Sequence, residues 1–512
     1  MNNRKRNNVF YILALSGLTA VMFTALFGVL GRPPVNSTDE ACHGINAYEM
    51  LRNNNIWINT LKHETDYYNS KPPLMLWMIM TGYKICGFTP LGMRLPSAIA
   101  GMILFLGCCT FIIKRYGRIQ TLLFASFLPA CTLLFRFHMM RSGDMDALYT
   151  LCFSAAMLCL FLSLENPWWI LLYGLCFGLA FMTKSTHAAL ILVIGILFLP
   201  VMIRRHLLKP LHYILSALAA VAAVLPWAIH RLSFDGTKFF YYMIFGETLG
   251  RVSNNVSSGS DSDPLAYAAQ LVHEPVCDIA FVLIAVSVIL RLFVFTGRPL
   301  HSEVKAALRQ TITPMRLLLI IWFTVVVGAY SVVKASLCWY IYPAYIPLMI
   351  MAADAGAYLI KCCGELRNGR IFSSLLMVSL TAAALGISVS MISSYPWTSA
   401  SAGGNAGLNF YHNLQETVQD NSDSFSGRTA FIESSYNIYK PQDEWELDFV
   451  YYSETVLDVT CTDGGVQAFL ASSDPDAVLI LDKNLWDTYS PVLTGYVILE
   501  DNDYLVFSKQ KY

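Results

Sequence analysis

Between residues 9 and 392 the sequence returns repeatedly to apolar runs about 20 residues long, the length that carries a helix across about 30 Å of hydrocarbon. Windows near 9–30, 91–113, 119–137, 147–164, 168–183, 187–203, 211–230, 277–297, 317–333, 340–360 and 371–392 qualify. In lipid a backbone must satisfy its own hydrogen bonds, so these runs predict an α-helical multi-pass membrane protein with about eleven transmembrane helices. Composition agrees, with 55% hydrophobic and 14% charged residues and a mean hydropathy of +0.49. Ordinary soluble domains carry roughly 25% charged residues, so a cytosolic enzyme and a disordered chain are both excluded. Nothing in the charge pattern points to nucleic acid.

Charge sets the expected orientation. Arg4, Lys5 and Arg6 precede the apolar stretch Val9 to Leu30, which is longer than the 7 to 15 residues of a signal-peptide core and so predicts a retained first span. With that end in the cytoplasm, alternate loops should be basic, and Lys114, Arg115 and Arg118, then Arg204, Arg205 and Lys209, then Arg298, Lys305, Arg309 and Arg316, then Lys361, Arg367 and Arg370 follow the rule. The turn Glu165 to Trp168 has no cation of its own. This topology puts the first long loop, 31–90, and the C-terminus outside the cytoplasm, in a plasma (inner) membrane protein. From residue 393 onward there are 18 acidic and 5 basic side chains, which separates an acidic extracytoplasmic domain, 393–512, from a membrane domain, 1–392. The runs Ala477–Leu481, Gly495–Leu499 and Tyr504–Phe507 read as strands of a small α/β fold.

Chemistry-bearing residues collect in the outer loops. Ser37 or Thr38 can cap a helix whose first turn holds Asp39 and Glu40, where carboxylates suit the positive end of the helix dipole. Alone this is a helix start. Tyr68-Asn-Ser-Lys-Pro-Pro-Leu74 reads as a helix entrance, Arg94 in Gly92-Met-Arg-Leu-Pro-Ser97 as an interfacial anchor, and Lys184 as a side chain snorkelling to headgroups. His43, His63, Glu64 and Asp66 are metal-ligating types without diagnostic spacing, which favours solvated loop residues, and a divalent metal is only a candidate cofactor. The 13 cysteines include no C-x-x-C pair.

In order and spacing these segments resemble the GT-C glycosyltransferases of the protein mannosyltransferase and aminoarabinose (4-amino-4-deoxy-L-arabinose) transferase superfamily. That family carries an Asp-Glu pair after its first span, then Lys-Pro-Pro-Leu and Arg-Leu-Pro-Ser. Arg141-Ser-Gly-Asp-Met-Asp146, Gly178–Ser185, Leu225-Pro-Trp227 and Lys334–Pro343 extend the similarity. The resemblance implies an enzyme that takes a sugar from a polyprenyl-phosphate donor and places it on a lipid, glycan or protein acceptor at the extracytoplasmic membrane surface. It implies Asp39 and Asp144 as catalytic carboxylates with Glu40 beside them, and Lys71, Arg251, Lys334 and Tyr340 as donor-phosphate ligands. Asp146 stands where the family has Pro, leaving open whether Asp144 or Asp146 faces the site. Ser70 stands where aminoarabinose transferases carry a Glu before Lys-Pro, which weakens the metal and the aminoarabinose readings. The rival readings are a multi-pass transporter, since membrane-edge ionisable groups also mark substrate paths, and a membrane scaffold presenting the acidic domain.

Overall fold

The computed structural model describes residues 3–35, 37–136, 138–205, 207–249, 265–293, 313–333, 337–397, 426–433, 447–462, 464–501 and 504–511. It divides into two compact units, one of residues 1–28, 97–141 and 145–395, the other of residues 29–96, 142–144 and 396–512.

The first unit is helical. Among the described residues, seven helices of the chain are long and apolar enough to cross a membrane: Asn8–Phe27, Pro90–Arg115, Trp169–Arg205, Pro210–Asp235, Pro314–Ser331, Cys338–Gly364 and Gly369–Ser393. The pair Ala266–Val272 and Pro275–Arg291, bent by 91° where Pro275 interrupts it, makes eight if it is one span. Each apolar window of the sequence falls on a helix. Two share Trp169–Arg205, which a 3₁₀ turn at Ser185–Ala188 divides, with Ser185 left-handed at φ 45°. Two others fall on the shorter helices Arg118–Phe127 and Asp146–Leu162. The shortfall against the eleven windows is thus one of helix length, because Arg118–Phe127 gives way to a turn and then a 3₁₀ segment at Thr132–Phe135.

With no hydrophobic drive between helices in lipid, small residues let backbones approach. Trp169–Lys184 packs on Pro210–Asp235 through Gly174 and Gly178: a Cβ on Gly174 would overlap the Ser216 carbonyl oxygen, and one on Gly178 would lie 2.7 Å from that of Ala220. Ser216 Oγ also donates to the Ile170 carbonyl at 2.7 Å. Gly174→Val is expected to destabilise the protein by about 1–3 kcal/mol through overpacking. An unchanged unfolding temperature in detergent would show that the helices do not need this approach. Glu165 pairs with Arg115 from the end of Pro90–Arg115, so the turn without a cation is neutralised by the neighbouring basic turn at the same helix ends. Asp354 likewise lies 3.4 Å from Arg291 and 2.9 Å from Arg316.

The second unit is α/β. Its sheet runs in the order Thr460–Thr462, Thr429–Glu433, Val478–Asp482, Tyr504–Lys511, Tyr496–Asp501. The first three strands are parallel and the last three antiparallel in register Leu479 to Phe507 and Asp501 to Leu505. The three expected strands are present, and Phe431, Val466, Phe469, Leu479, Leu481 and Phe507 form their core. The same unit contains the helix Thr38–Arg52, capped by Ser37, whose Oγ accepts from the Glu40 amide at 3.5 Å. That helix packs on Leu447–Leu457. Val35 donates its amide to Tyr452 Oη at 2.8 Å, Tyr48 donates to Asp458 at 2.9 Å, and Arg52 pairs with Asp458. Gly44 allows the approach, since a Cβ there would sit 2.7 Å from both Met93 Sδ and the Tyr451 ring.

Candidate active site

The helix Thr38–Arg52 is buried all round from Glu40 to Met50, and its polar residues Glu40, His43, Asn46 and Glu49, at three-residue spacing, step about 60° each around it, so that Glu40 and Glu49 point to opposite sides. Buried polar groups need partners, and each of these meets a different segment of the second unit.

Glu40 holds Arg94. Arg94 donates through Nε to Oε1 at 2.7 Å and through Nη2 to Oε2 at 2.8 Å, a bidentate fork, and it also donates to the Leu30, Pro33 and Pro34 carbonyls at 3.2, 2.6 and 2.9 Å. Both side chains are buried, so Arg94 is an internal brace and not the interfacial anchor expected of it. Oε1 of Glu40 further accepts the Gly143 amide at 2.8 Å, which fixes the segment that carries Asp144. Asp144 lies 3.4 Å from His43 Nδ1, and one of its carboxylate oxygens is within 4.8 Å of one of Asp39. Two carboxylates therefore face each other at the start of the helix, Asp39 half-buried and Asp144 buried.

Lys71 is positioned by a chain of hydrogen bonds. Asp66 accepts the Tyr68 and Asn69 amides at 2.7 and 3.0 Å and Asn46 Nδ2 at 3.0 Å; Asn69 Nδ2 donates to Asn46 Oδ1 at 2.8 Å, and Lys71 Nζ donates to Asn69 Oδ1 at 3.5 Å. Pro72 and Pro73 then lead into the helix Leu74–Cys86. Burial and the negative charges of Asp66 and Asp39 push the Cys42 thiol well up, while Lys71 pulls it down, so all three charges act on one buried point.

At the far end of the helix, Glu49 accepts the His63 amide at 3.0 Å, and His63 Nε2 lies 3.7 Å from Glu454. Burial pushes Glu49 up to about 7, and burial with repulsion from Glu49 holds Glu454 well above the carboxylate range. The four residues considered for a metal are thus not brought together: His43 goes to Asp144, His63 to Glu49 and Glu454, Asp66 to Asn46 and Asn69, and Glu64 is exposed.

In the first unit, Lys184 is buried and paired with Asp146, so it does not snorkel. Its Nζ lies 5.1 Å from the Tyr340 ring centre and 5.8 Å from that of Tyr149, whose hydroxyl donates to the His187 carbonyl at 2.8 Å. Tyr340 packs edge-on against His187 and is tilted against Tyr330. Arg141 donates to the carbonyls of Ala25, Leu26 and Gly28 and sits 3.9 Å from the Tyr395 ring centre. Between the helices Trp169–Arg205 and Pro210–Asp235 lies an apolar cavity of about 500 Å³ lined by Tyr173, Phe177, Leu192, Ile196 and Val221. Arg251 and Lys334 lie outside the described residues.

Sequence reasoning saw His43 only as a metal-ligating type and passed over Asn46, Glu49 and Asn69. Nothing in the sequence marked Asn46 and Glu49, because polar residues that wind around a helix at three-residue spacing give no apolar stripe and read as a solvated helix.

The family model described as dolichyl-phosphate-mannose-protein mannosyltransferase matches residues 70–230. The undecaprenyl phosphate-alpha-4-amino-4-deoxy-L-arabinose arabinosyl transferase of Photorhabdus laumondii is 24% identical over 70% of this chain and 62% of its own length. A second such transferase, from Proteus mirabilis, is 25% identical over 70% of this chain and 61% of its own. The chain thus spans about three fifths of these relatives. The crystal structure of ArnT from Cupriavidus metallidurans bound to undecaprenyl phosphate superposes with a TM-score of 0.68 at 13% identity, covering 98% of both chains, and its apo form does so with 0.67 at 14%, covering 99% of this chain and 98% of the other. The shared fold, multi-pass helical with a small sheet-containing C-terminal region, is the one expected from the sequence, and the transporter reading gains no support from relatives that are named as transferases. In sequence over residues 70–230 the chain is similar to the protein mannosyltransferase family, over 70% of its length to these aminoarabinose transferases, and in fold to ArnT.

Proposed function

We propose that the chain is a membrane glycosyltransferase that moves a sugar from a polyprenyl-phosphate donor to a lipid, glycan or protein acceptor at the extracytoplasmic face of the plasma (inner) membrane. The observation that carries this reading is the pair Asp39 and Asp144, with carboxylate oxygens within 4.8 Å on a unit that also holds the Lys71 loop. An acceptor hydroxyl attacks the anomeric carbon, its proton passes to a carboxylate, and the bond from that carbon to the phosphate oxygen breaks. Asp39 is the first choice for the base and Asp144 the second. Asp146, already paired with Lys184, is the weaker candidate. Glu40, held by Arg94, is a positioning residue that sets the Asp144 segment.

The leaving polyprenyl phosphate is met by cations in a partly desolvated place. Lys71, Arg251 and Lys334 have that role, and Tyr340 donates a hydrogen bond to the same phosphate. The apolar cavity beside Tyr173 and Val221 has the character needed for the prenyl chain. By this reading residues 1–392 supply the catalytic residues, and 393–512 are a C-terminal part on the outer side that belongs to the same compact unit as 29–96 and 142–144.

The test is to incubate the purified protein with a panel of polyprenyl-phosphate sugars and lipid, glycan and peptide acceptors, and to follow released polyprenyl phosphate by mass spectrometry. Release that needs an acceptor is the expected result. No release from any donor, by protein that is folded in lipid, would overturn the reading.

A further inference from the structure

Glu49, His63 and Glu454 lie in the same unit as Asp39 but ten residues along the helix from it, about 15 Å by helical rise. One ligand atom from each lies within 4.8 Å of the other two. Glu49 and Glu454 are fully buried. Among the described residues, no hydrogen bond of ordinary geometry reaches either carboxylate oxygen of Glu454, Oε1 of Glu49 or Nε2 of His63. Buried polar atoms without a hydrogen-bond partner therefore belong to all three residues of the cluster, and such atoms are costly to bury.

The chain also makes an effort to bring the imidazole there. Lys62 and His63 connect the strands Thr60–Leu61 and Glu64–Thr65 with φ of 55° and 61°, the left-handed pair of a two-residue hairpin turn that favours Asn-Gly. The His63 amide is then locked onto Glu49. The donor set decides the class of ion. One imidazole nitrogen and two carboxylate oxygens is a set suited to zinc, whereas calcium and magnesium prefer shells made wholly of oxygen.

We propose that Glu49, His63 and Glu454 bind one divalent transition-metal ion, Zn²⁺ in the first place, which ties the helix Thr38–Arg52 to the helix Leu447–Leu457. The ion neutralises the two carboxylates and is held by one ligand atom from each of the three residues. Its place is distinct from the Asp39–Asp144 pair, and its role is structural.

The full chain, purified in detergent without chelator, is assayed for bound metals by inductively coupled plasma mass spectrometry. It is then stripped with chelator, dialysed and titrated with Zn²⁺ alone while the unfolding temperature is read. Roughly one zinc per chain is expected, as is a rise in unfolding temperature on adding it back. Glu454→Gln and His63→Ala should lose both the bound metal and the rise, while Asp39→Asn keeps both. If the Glu454 variant does not fold, His63→Ala gives the same reading from a partly exposed position. The proposal is overturned if the unaltered protein holds no metal and does not respond to Zn²⁺, in which case the carboxylates are protonated. It is equally overturned if metal and response survive in His63→Ala.

Discussion

Asp39→Asn lowers sugar transfer by about 10²–10⁴-fold when the acceptor is a neutral hydroxyl, because the attacking oxygen must lose its proton in the transition state and the amide cannot take it. On the proposed mechanism the fall belongs in kcat, since that mechanism assigns donor binding to the cations and the lipid chain and not to this carboxylate. With an ionised lipid phosphate as acceptor the nucleophile is already charged, and the same variant then keeps far more activity with a flatter pH profile. Asp39 thus reports the chemical class of the acceptor. Asp144→Asn, measured beside it, ranks the two carboxylates: they face each other within 4.8 Å, but Asp144 is buried against His43 and Asp39 is half open. The larger loss is expected at Asp39. Full activity in both variants would sink the proposed mechanism.

Arg94→Met is expected to cost about 3–5 kcal/mol of stability, the penalty for leaving one member of a buried ion pair without the other. Glu40 would lose both arms of its fork, and three carbonyls at the end of the first span would lose their donor. The double variant Glu40→Gln/Arg94→Met should recover part of that loss, because it no longer buries an unpaired charge. Chemical denaturation in detergent gives both values. A loss below about 1 kcal/mol in the single variant, the range of exposed pairs, would mean that water reaches the pair.

The membrane architecture was legible because its physics is one-dimensional: a run of about 20 apolar residues is a helix wherever it lies. The C-terminal strands were legible for a similar reason, as short β-rich runs such as Ala477–Leu481 bounded by turn residues. The Asp39-Glu40 pair was visible, but not its division of labour. Adjacent residues on a helix point about 100° apart, so Glu40 turns inward to Arg94 while Asp39 stays at the Asp144 side. Nothing local distinguishes the two. Lys184 and Arg94 misled for one reason: a long cation near a helix end has two stable fates, reaching headgroups or pairing inside, and the partners Asp146 and Glu40 are 38 and 54 positions away. The Glu454 contact to His63 joins distant parts of the chain and had no sequence signal.

That distance bears on how the protein is made. Val35 and Tyr452 are 417 positions apart, and Tyr48 and Asp458 are 410 apart. At about 5–20 residues per second, a ribosome needs roughly 20 to 80 seconds to connect them. Throughout that interval the Thr38–Arg52 helix, whose polar side chains Glu40, His43, Asn46 and Glu49 are all buried in the finished fold, waits for the helix that packs on it. Membrane insertion of the early spans therefore precedes completion of this unit, and a nascent chain halted before Leu447 would lack the partner of its Thr38–Arg52 helix. Such intermediates are natural clients for folding factors on the side of the membrane where this unit matures, and their protease sensitivity should vanish only when the last stretch of chain arrives.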